Sequence, residues 1–470
     1  MSTLLTIHNT LTGKKEKFTP LFPGEVKMYV CGITPYDECH LGHARCYVFF
    51  DVFRRYLEYS GYIVRFIQNF TDIDDKIIKK SNEMGVPPSE ISEKYIQDFF
   101  QYRDKLNILP ADFYPLATHF IPQIVRMTSS LIEKGYAYVV NGDVYFSVAK
   151  FPGYGKLSKR NPDELKAGAR VEVDKNKKAP LDFALWKSAK PGEPSWDSPW
   201  GTGRPGWHIE CSAMALDYLK TNTLDVHGGG QDLIFPHHEN EIAQSEAITG
   251  KPFARYWVHN GFVTINKEKM SKSLGNFFSL KDILAKYDPI VVRLFLISQH
   301  YRTPLDFSDD RLEQAKSAWE RVLRVKENTE NLLGILPGGP LADAEKMQVD
   351  AIMSGFISSM DDDFNTAEAV ASLHRIVNRL YLFEKDRPAG LNIAAPEYNL
   401  YKMAQMCDIL GLKLPGAGRV EKDITDLVAL REEARKKKRW RESDELRDKI
   451  LKKGYLVEDT PYGPRVKKTE

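Results

Sequence analysis

The stretch VKMYVCGITPYDECHLGHARCYVFFDVFRRYLEYSGYIVRFIQN, residues 26–69, decides the fold class of this chain. VKMYVCG is a short, β-rich apolar run that ends in glycine, and YIVRFIQN is a second run of the same kind. Between them, apolar residues recur with a helical period from Leu41 to Tyr59, and Gly61 stands just past that segment. Strand, helix and strand within about 45 residues form a βαβ unit, which predicts a Rossmann-like parallel α/β sheet.

Later segments of the chain change in pattern. GYAYVVNGDVYFSV, residues 135–148, predicts a β-hairpin, because an Asn-Gly pair is flanked by alternating apolar residues. Residues 150–205 are rich in Gly, Pro, Lys and Trp and are interpreted as an insertion that interrupts the α/β domain. Short β-like runs at residues 224–227 and 257–265 restore the sheet. After about Phe307 the strand signals nearly vanish, so the C-terminal third is predicted to be helical.

The composition limits the class of protein. At 470 residues the chain is too long for one core, and 42% hydrophobic with 28% charged residues is typical of a globular protein. No apolar run reaches the ~18 residues of a membrane helix, and MSTLLTIHNTLTGKKEKF lacks the features of a secretory signal, so a cytoplasmic location is expected. A net charge of +2 does not predict a polyanionic partner, which must be sought in local charge.

The HLGH motif, with His40, Gly42 and His43, lies between the first predicted strand and its helix. This is the carboxyl end of a parallel strand, where nucleotides bind in α/β sheets. The glycine allows close approach of the backbone, and imidazole and helix N-terminal donors suit a phosphate that gains charge. Taken alone, the motif is equally well explained by two histidines that cap a helix.

A second candidate phosphate site is EKMSKSLGN, residues 268–276. Small residues favour a mobile loop, and Lys269 and Lys272 could close on a triphosphate and stabilise charge that develops there. A solvated basic loop is the alternative. It is disfavoured because HLGH and this segment occur in this order on one α/β chain.

GGGQDLIFPHHENE, residues 228–241, holds two histidines and several acids behind three glycines. Pro236 favours the first turn of a helix, so His237 and Glu241, four residues apart, are expected on the same helix face. A histidine and a carboxylate on one face form half of a candidate metal site. His238, one position round the helix, is expected to orient a ligand or to serve the structure rather than to bind the metal.

Softer ligands for this metal are expected from cysteines near the carboxyl edge of the sheet. Cys31 is expected to end the first strand and Cys211 to open the helix after GWHIE. Two thiolates, one imidazole and one carboxylate suit tetrahedral zinc. The residues alone leave buried thiols and a capping histidine as the alternative. Five cysteines are an odd number, which fits reduced thiols, and Cys39, Cys46 and Cys407 are interpreted as structural.

Together these motifs resemble those of the class I aminoacyl-tRNA synthetases, since HLGH and KMSKS, residues 269–273, match the HIGH and KMSKS signatures of that family. GGGQDLIFPHHENE, MYVCGITPYD, NFTDIDDKI, GWHIECSAM and HYRTPLDFS narrow the resemblance to the cysteinyl-tRNA synthetases, from about residue 20 to the C-terminus. One departure is Asn266-Lys267 before Glu268, where the family commonly has a glycine in the turn.

The resemblance implies the fold of a class I synthetase, with a Rossmann-like parallel-sheet catalytic domain, an insertion and a helical C-terminal region. The expected segments are 1–119, the first half of the catalytic domain; 120–205, a connective insertion; 206–307, the second half with the KMSKS loop; 308–400, a helical bundle that contacts the tRNA stem; and 401–470, an anticodon-binding domain.

The activity implied is that of a cysteine–tRNA ligase. Cysteine and ATP with Mg²⁺ would give cysteinyl-adenylate, and the cysteinyl group would move to the 3′-terminal adenosine of tRNA(Cys). The resemblance places one zinc per chain on four residues: Cys31, Cys211, His237 and Glu241. A plain pocket separates near-isosteres such as a thiol and a hydroxyl by only about 1–3 kcal/mol, whereas zinc prefers a sulfur anion.

Further site residues follow from the same resemblance. The catalytic residues would be His40, His43, Lys269 and Lys272. ATP would be bound by His40, Gly42, His43, Lys269, Ser271 and Lys272. The substrate cysteine would meet Gly32, Thr34, Thr71, Trp207 and Asp232. For this last set a structural role is the alternative, because Trp is usually a core residue and Asp after Gly usually forms a turn.

A candidate tRNA-binding segment is RKKKRWR, residues 435–441, in which basic residues surround one Trp within a helical pattern. An indole among cations suits a splayed RNA base, although charge on a helix is usually a solvated face. The resemblance assigns the anticodon to Trp440 and Asp444. The predicted partners are tRNA(Cys), L-cysteine and ATP, without a membrane, for a chain that acts as a monomer.

Two other functions remain open at this point. A zinc-dependent cysteine ligase of the mycothiol pathway shares the cysteine-activation site, but its sugar acceptor needs no basic helical C-terminus. A non-catalytic RNA-binding relative of a synthetase would need neither HLGH nor KMSKS.

Overall fold

The computed structural model describes residues 5–161, 176–265, 268–269, 278–415, 422–460 and 463–468. The chain divides into two compact units. The first comprises Met1–Trp319, Ser354–Ser372 and Met406–Leu412, and the second comprises Glu320–Met353, Leu373–Gln405 and Lys413–Glu470. Within the described ranges, no helix is long and apolar enough to cross a membrane.

Strands and helices alternate in the first part of the chain. The strands are β1 Thr6–Asn9, β2 Lys14–Lys17, β3 Glu25–Val30, β4 Ile63–Gln68, β5 Ala137–Val140, β6 Asp143–Phe146, β7 Phe183–Ser188, β8 Gly203–Pro205, β9 Leu224–Gly230, β10 Ala254–Asn260, β11 Val263–Ile265, β12 Glu268–Lys269, β13 Leu305–Phe307, β14 Tyr455–Thr460 and β15 Gly463–Lys468. The helices are α1 Leu41–Tyr59, α2 Asp75–Met84, α3 Pro88–Lys105, α4 Ile121–Glu133, α5 Trp207–Leu219, α6 Glu239–Thr249, α7 Leu280–Lys286, α8 Pro289–Ile297, α9 Asp309–Leu333, α10 Asp343–Asp361, α11 Thr366–Asp386, α12 Ala394–Leu410, α13 Lys422–Lys436 and α14 Trp440–Lys452.

A four-stranded parallel sheet in the order β10-β9-β3-β4 lies in the first unit. In β3, Met28, Tyr29 and Val30 are all fully buried, as expected for a strand that is covered on both faces. Helix α1 connects β3 to its parallel neighbour β4, and its bounds are those predicted from the hydrophobic period. The predicted βαβ unit and parallel sheet are confirmed.

A second sheet, antiparallel in the order β5-β6-β7-β8, is formed around the predicted insertion. Its first two strands are joined at Asn141 and Gly142, which have φ of 51° and 86°. Positive φ at both positions is what an Asn-Gly hairpin turn requires, so the predicted hairpin is confirmed. A third sheet, β12-β11-β13, follows the parallel one in the chain.

A buried ion pair connects α1 to α8 in the first unit. Asp51 of α1 pairs with Arg293 of α8, and their side chains are only 1% and 0% exposed. Arg293 Nε also donates to the carbonyl of Leu410 at 2.8 Å, and Nη1 donates to that of Leu106 at 2.9 Å. One guanidinium group therefore joins four segments of this unit.

Three local predictions are wrong. Cys211 does not open a helix, because α5 begins at Trp207 and Cys211 is its fifth residue. The basic run is not one helix, since Lys438 has φ 57° and a new helix begins at Trp440. The helical C-terminus ends in a hairpin, β14–β15, because Tyr455 packs with the apolar residues of α13 and α14.

Candidate active site and metal centre

A cleft of about 800 Å³ opens at the carboxyl ends of the parallel strands in the first unit. Cys31 follows β3, Gly230 ends β9 and Asn260 ends β10, and all three line the cleft. This is the edge at which open α/β sheets bind their ligands. Eight predicted site residues line it: Cys31, Gly32, Thr34, His40, Gly42, His43, Trp207 and Asp232. Sequence reasoning missed Tyr36 and Lys76, which line it too.

The two histidines of HLGH cap helix α1. The backbone N of His43 donates to His40 Nδ1, and the backbone N of His40 donates to His43 Nδ1, both at 3.3 Å. Their rings stack with centroids 3.7 Å apart. A Cβ on Gly42 would lie 2.9 Å from the His40 ring, so any larger residue here would displace that ring. The capping explanation is therefore correct, and both histidines also line the cleft.

Gly32 is the position in the cleft with the least room for a side chain. A Cβ there would lie 1.5 Å from the backbone oxygen of Asn69, a distance that no local adjustment can absorb. The Asn69 side chain in turn accepts a hydrogen bond from the Gly32 backbone N at 2.9 Å. Thr71, just beyond on the same segment, is buried and donates its backbone N to the carbonyl of Ile33 at 3.1 Å. These contacts fix the backbone beside Cys31.

The four predicted metal ligands meet behind the cleft. Cys31 Sγ lies 3.9 Å from Cys211 Sγ and 3.6 Å from Glu241 Oε1. His237 Nε2 lies 3.0 Å from the same Glu241 oxygen. All four residues are buried, and one donor atom of each lies within 4.8 Å of the others. Two sulfurs, an imidazole nitrogen and a carboxylate oxygen at this spacing fit a tetrahedral zinc ion.

A second set of donors shares two of these residues. Cys31, His227, His238 and Glu241 also bring one donor atom each within 4.8 Å of the others. His227 Nε2 lies 2.9 Å from Glu241 Oε2, and His238 Nε2 lies 3.4 Å from Cys31 Sγ. His227, in β9, was missed by sequence reasoning, although its place in LDVHGGG at the carboxyl end of a strand was a usable signal.

Other histidines and an indole hold the imidazoles of this centre. His208 Nδ1 lies 2.9 Å from His237 Nδ1, which leaves Nε2 of His237 directed at Glu241. His238 Nδ1 lies 2.8 Å from His259 Nε2. Trp207 stacks on His237 with ring centroids 4.3 Å apart. Ligating histidines are commonly oriented in this way through their second ring nitrogen.

The buried environment shifts the pKa values of the donors. A hydrogen bond from the Cys31 thiol lowers the pKa of Cys211 to about 6, whereas burial raises the pKa of Cys31. Burial alone would raise the pKa of Glu241, but the charges of His227 and His237 outweigh it and lower that pKa to about 2. The lowered pKa values of Cys211 and Glu241 favour their anionic, metal-binding forms.

Asp232, Trp207 and Lys269 differ in how far their side chains are exposed or described. Asp232 is exposed at the rim of the cleft, and Trp207 is 37% exposed beside it. The backbone of Lys269 in β12 pairs with Thr264 of β11. The side chain of Lys269 and residues 270–277, which include Ser271 and Lys272, lie outside the described residues, as do Asn266 and Lys267.

The predicted anticodon residues lie together in the second unit. Trp440 begins α14 and is 59% exposed, and Asp444 is exposed one turn later on the same helix. Asp444 also lines a hollow of about 290 Å³ with Arg447 and Tyr455. An exposed indole beside basic residues can stack on a nucleic-acid base.

Comparison with known proteins identifies the family. Residues 17–317 match the catalytic domain of class I (C) tRNA synthetases, residues 355–415 a DALR domain, and residues 418–464 the anticodon-binding domain of cysteinyl-tRNA ligase. The chain is 52% identical to the cysteine–tRNA ligase of Carboxydothermus hydrogenoformans, over 98% of this chain and 99% of that protein. The chain belongs to the cysteine–tRNA ligase family.

Other relatives agree with this family. The cysteine–tRNA ligase of Pelotomaculum thermopropionicum is 51% identical over 98% of this chain and 99% of its own length. Solved structures resemble the chain in fold alone. A methionyl-tRNA synthetase of Mycobacterium tuberculosis in complex with methionyl-adenylate matches with a TM-score of 0.59 at 16% identity, covering 83% of this chain and 90% of the other. A LeuRS of Agrobacterium radiobacter matches at 0.60 and 12% identity, covering 84% of each.

Proposed function

We propose that this chain joins L-cysteine to tRNA(Cys). Cysteine and ATP with Mg²⁺ give cysteinyl-adenylate and pyrophosphate, and the cysteinyl group then moves to the 3′-terminal adenosine of the tRNA with release of AMP. The observation that carries the proposal is one cleft in which His40 and His43 lie beside Cys31 of a buried zinc-type donor set. The family match over nearly the whole chain supports it.

The proposed roles of the side chains combine residues that line the cleft with residues that only the family resemblance assigns. His40, Gly42 and His43 bind the phosphates of ATP with Lys269, Ser271 and Lys272, and donors at a helix N-terminus stabilise the charge that develops there. The substrate cysteine is bound by Gly32, Thr34, Trp207 and Asp232, which line the cleft, and by Thr71, which is buried. The Asp232 carboxylate, exposed at the rim, would pair with the substrate ammonium group.

Zinc is the proposed resident metal, on Cys31, Cys211, His237 and Glu241. A zinc ion bound there prefers sulfur and lowers the pKa of a thiol, so it favours cysteine over serine. Two neighbours orient the His237 ligand. Trp207 stacks on its ring, and His208 Nδ1 lies 2.9 Å from its Nδ1.

The same proposal extends to the tRNA and to the organisation of the chain. Trp440 and Asp444 contact the anticodon, and the segments 1–119, 120–205, 206–307, 308–400 and 401–470 act as the predicted domains. A cytoplasmic location and a monomeric state stay predictions. The match of residues 418–464 to an anticodon-binding domain favours a tRNA acceptor over the amino sugar of the mycothiol pathway.

One experiment tests the function as a whole. Purified enzyme is assayed for pyrophosphate exchange with each amino acid and then for charging of purified tRNA. Exchange that depends on cysteine, followed by charging of tRNA(Cys), is expected. Exchange without charging would favour a different acceptor, and binding of tRNA without exchange would favour the non-catalytic alternative.

Lys272→Ala should lower the rate of cysteine-dependent pyrophosphate exchange by on the order of 10² or more, because the ammonium group would no longer meet the charge that develops on the phosphates. Lys286→Ala is the matched control, since it removes an exposed lysine at the end of α7. An unchanged exchange rate in Lys272→Ala would remove this lysine from the mechanism.

Trp440→Ala should weaken charging of tRNA while leaving adenylate formation intact, because loss of one base stack costs roughly 1–3 kcal/mol. Charging and exchange are measured side by side on the same preparation. Leu430→Ala, which truncates another exposed apolar side chain of the second unit, serves as the control. If both reactions fell together in Trp440→Ala, the indole would serve the fold rather than the anticodon.

A further inference from the structure

Arg45 is a buried cation in the helix that carries HLGH. The residue is only 1% exposed. Its Nη1 donates to the carbonyl of Phe262 at 2.6 Å, and its Nη2 donates to the carbonyl of Tyr301 at 3.1 Å and to that of Thr303. With the carbonyl of His300, which accepts from Nη2 at 3.4 Å, four backbone carbonyls from two distant segments converge on one side chain of α1.

Those carbonyls belong to the segments that lead into β11 and β13. Phe262 directly precedes β11, and its carbonyl also accepts from the backbone N of Leu305, the first residue of β13, at 2.9 Å. The two strands pair in parallel, with Val263 opposite Leu305. On its other side β11 pairs with β12, where Thr264 stands opposite Lys269. Arg45 thus connects α1 to the strand that holds the backbone of Lys269.

The hydrogen bonds of Arg45 favour a role in orienting the backbone over a role in stabilising the fold. Burial lowers the pKa of Arg45 to about 10, which reflects the cost of keeping a guanidinium group away from water. Among the residues that the structure describes, its hydrogen-bond partners are carbonyls rather than a carboxylate. Well-packed apolar side chains often stabilise a fold as well as buried charges do. The planar guanidinium group, however, has several N–H donors in fixed directions, so it fixes the position of each carbonyl that accepts from it.

We propose that Arg45 is a positioning residue that sets the distance between the HLGH histidines and the backbone of Lys269. The inference rests on the proposed function, in which the HLGH histidines and the side chain of Lys269 act on the same ATP. A misplacement of about 1 Å between reacting groups can lower a rate by about 10²-fold. Arg45 touches neither substrate and acts through α1 and β11.

The test is Arg45→Lys, compared with Arg293→Lys. Both variants replace a buried guanidinium that donates to backbone carbonyls. Arg293 also pairs with Asp51 of α1, but its partners do not include the segments that lead into β11 and β13. For Arg45→Lys we expect kcat of cysteine-dependent pyrophosphate exchange to fall about 10- to 100-fold. We expect the KM for cysteine to stay within about twofold and the zinc content to be unchanged. Arg293→Lys should lose thermal stability to a similar extent and keep its kcat.

Equal kcat values for the two variants would overturn the proposal, and so would a parallel loss of zinc and of cysteine binding in Arg45→Lys. If Arg45→Lys does not fold, Gly261→Ala is the second variant. Its Cβ would lie 2.6 Å from the carbonyl oxygen of Arg302, so it separates the segments that lead into β11 and β13. The same fall in kcat is expected, and an unchanged kcat would refute the role. Absence of exchange in the unmodified enzyme would instead refute the proposed function.

Discussion

Replacing Cys211 with serine should abolish stoichiometric zinc binding, whereas replacing His227 with glutamine should leave the zinc in place. Cys211 belongs only to the donor set with His237, and His227 belongs only to the set with His238. Loss of a thiolate ligand removes one of the two bonds that zinc favours most in this set. Loss of a side chain that only orients a ligand costs about 10- to 100-fold in metal affinity. The measurement is zinc per chain by atomic absorption.

Cobalt substitution gives this prediction an independent readout. Because Cys211→Ser should no longer bind the metal stoichiometrically, the sulfur-to-cobalt charge-transfer band should be largely lost in that variant and retained in His227→Gln. In the unmodified enzyme, added cysteine should raise the band and serine should not. Retention of zinc in Cys211→Ser together with its loss in His227→Gln would move the metal to the other donor set.

Arg293→Ala should lower the free energy of unfolding of the first unit by about 3 kcal/mol, the lower end for a broken buried ion pair, because the carboxylate of Asp51 then keeps only Arg55, at 2.8 Å, as its cation. The side chains of Arg293 and Asp51 are almost completely inaccessible to solvent. The truncation also removes the donors to Leu410 and Leu106. Urea unfolding followed by circular dichroism measures the change.

The control for Arg293→Ala is Lys79→Ala on α2. Lys79 pairs with Glu83, the two side chains are 80% and 54% exposed, and such pairs contribute about 0–1 kcal/mol. A similar small loss in Arg293→Ala would mean that the buried pair does not anchor α1 to α8.

Local patterns were sufficient to predict much of the fold. The period of apolar residues in Leu41–Tyr59 and the Asn141-Gly142 turn are encoded in neighbouring residues, and both predictions are confirmed. The helical backbone that follows the extended Phe235 agrees with the prediction that Pro236 lies in the first turn of a helix. The short C-terminal hairpin was missed because it adds only a few residues to a small core.

The candidate site, too, was predictable from the sequence only where local spacing determines it. The pairing of His237 with Glu241 follows from their spacing, and the geometry also brings Cys31 and Cys211 to them. His227 reaches Glu241 across elements, which no local pattern reveals. The role of Arg45 is harder still to predict from the sequence, since a charged residue in a helix is expected at the surface. Its acceptor Phe262 is 217 positions away in the chain.

The reciprocal cap of helix α1 also fixes the tautomer of both HLGH histidines. In each ring Nδ1 accepts a hydrogen bond from a backbone N–H, so Nδ1 carries no hydrogen of its own. The neutral imidazoles of His40 and His43 must then carry their hydrogen on Nε2. The helix cap and the proposed chemistry therefore use different atoms of the same rings, and the hydrogen bonds that begin the helix also make each Nε2 a donor.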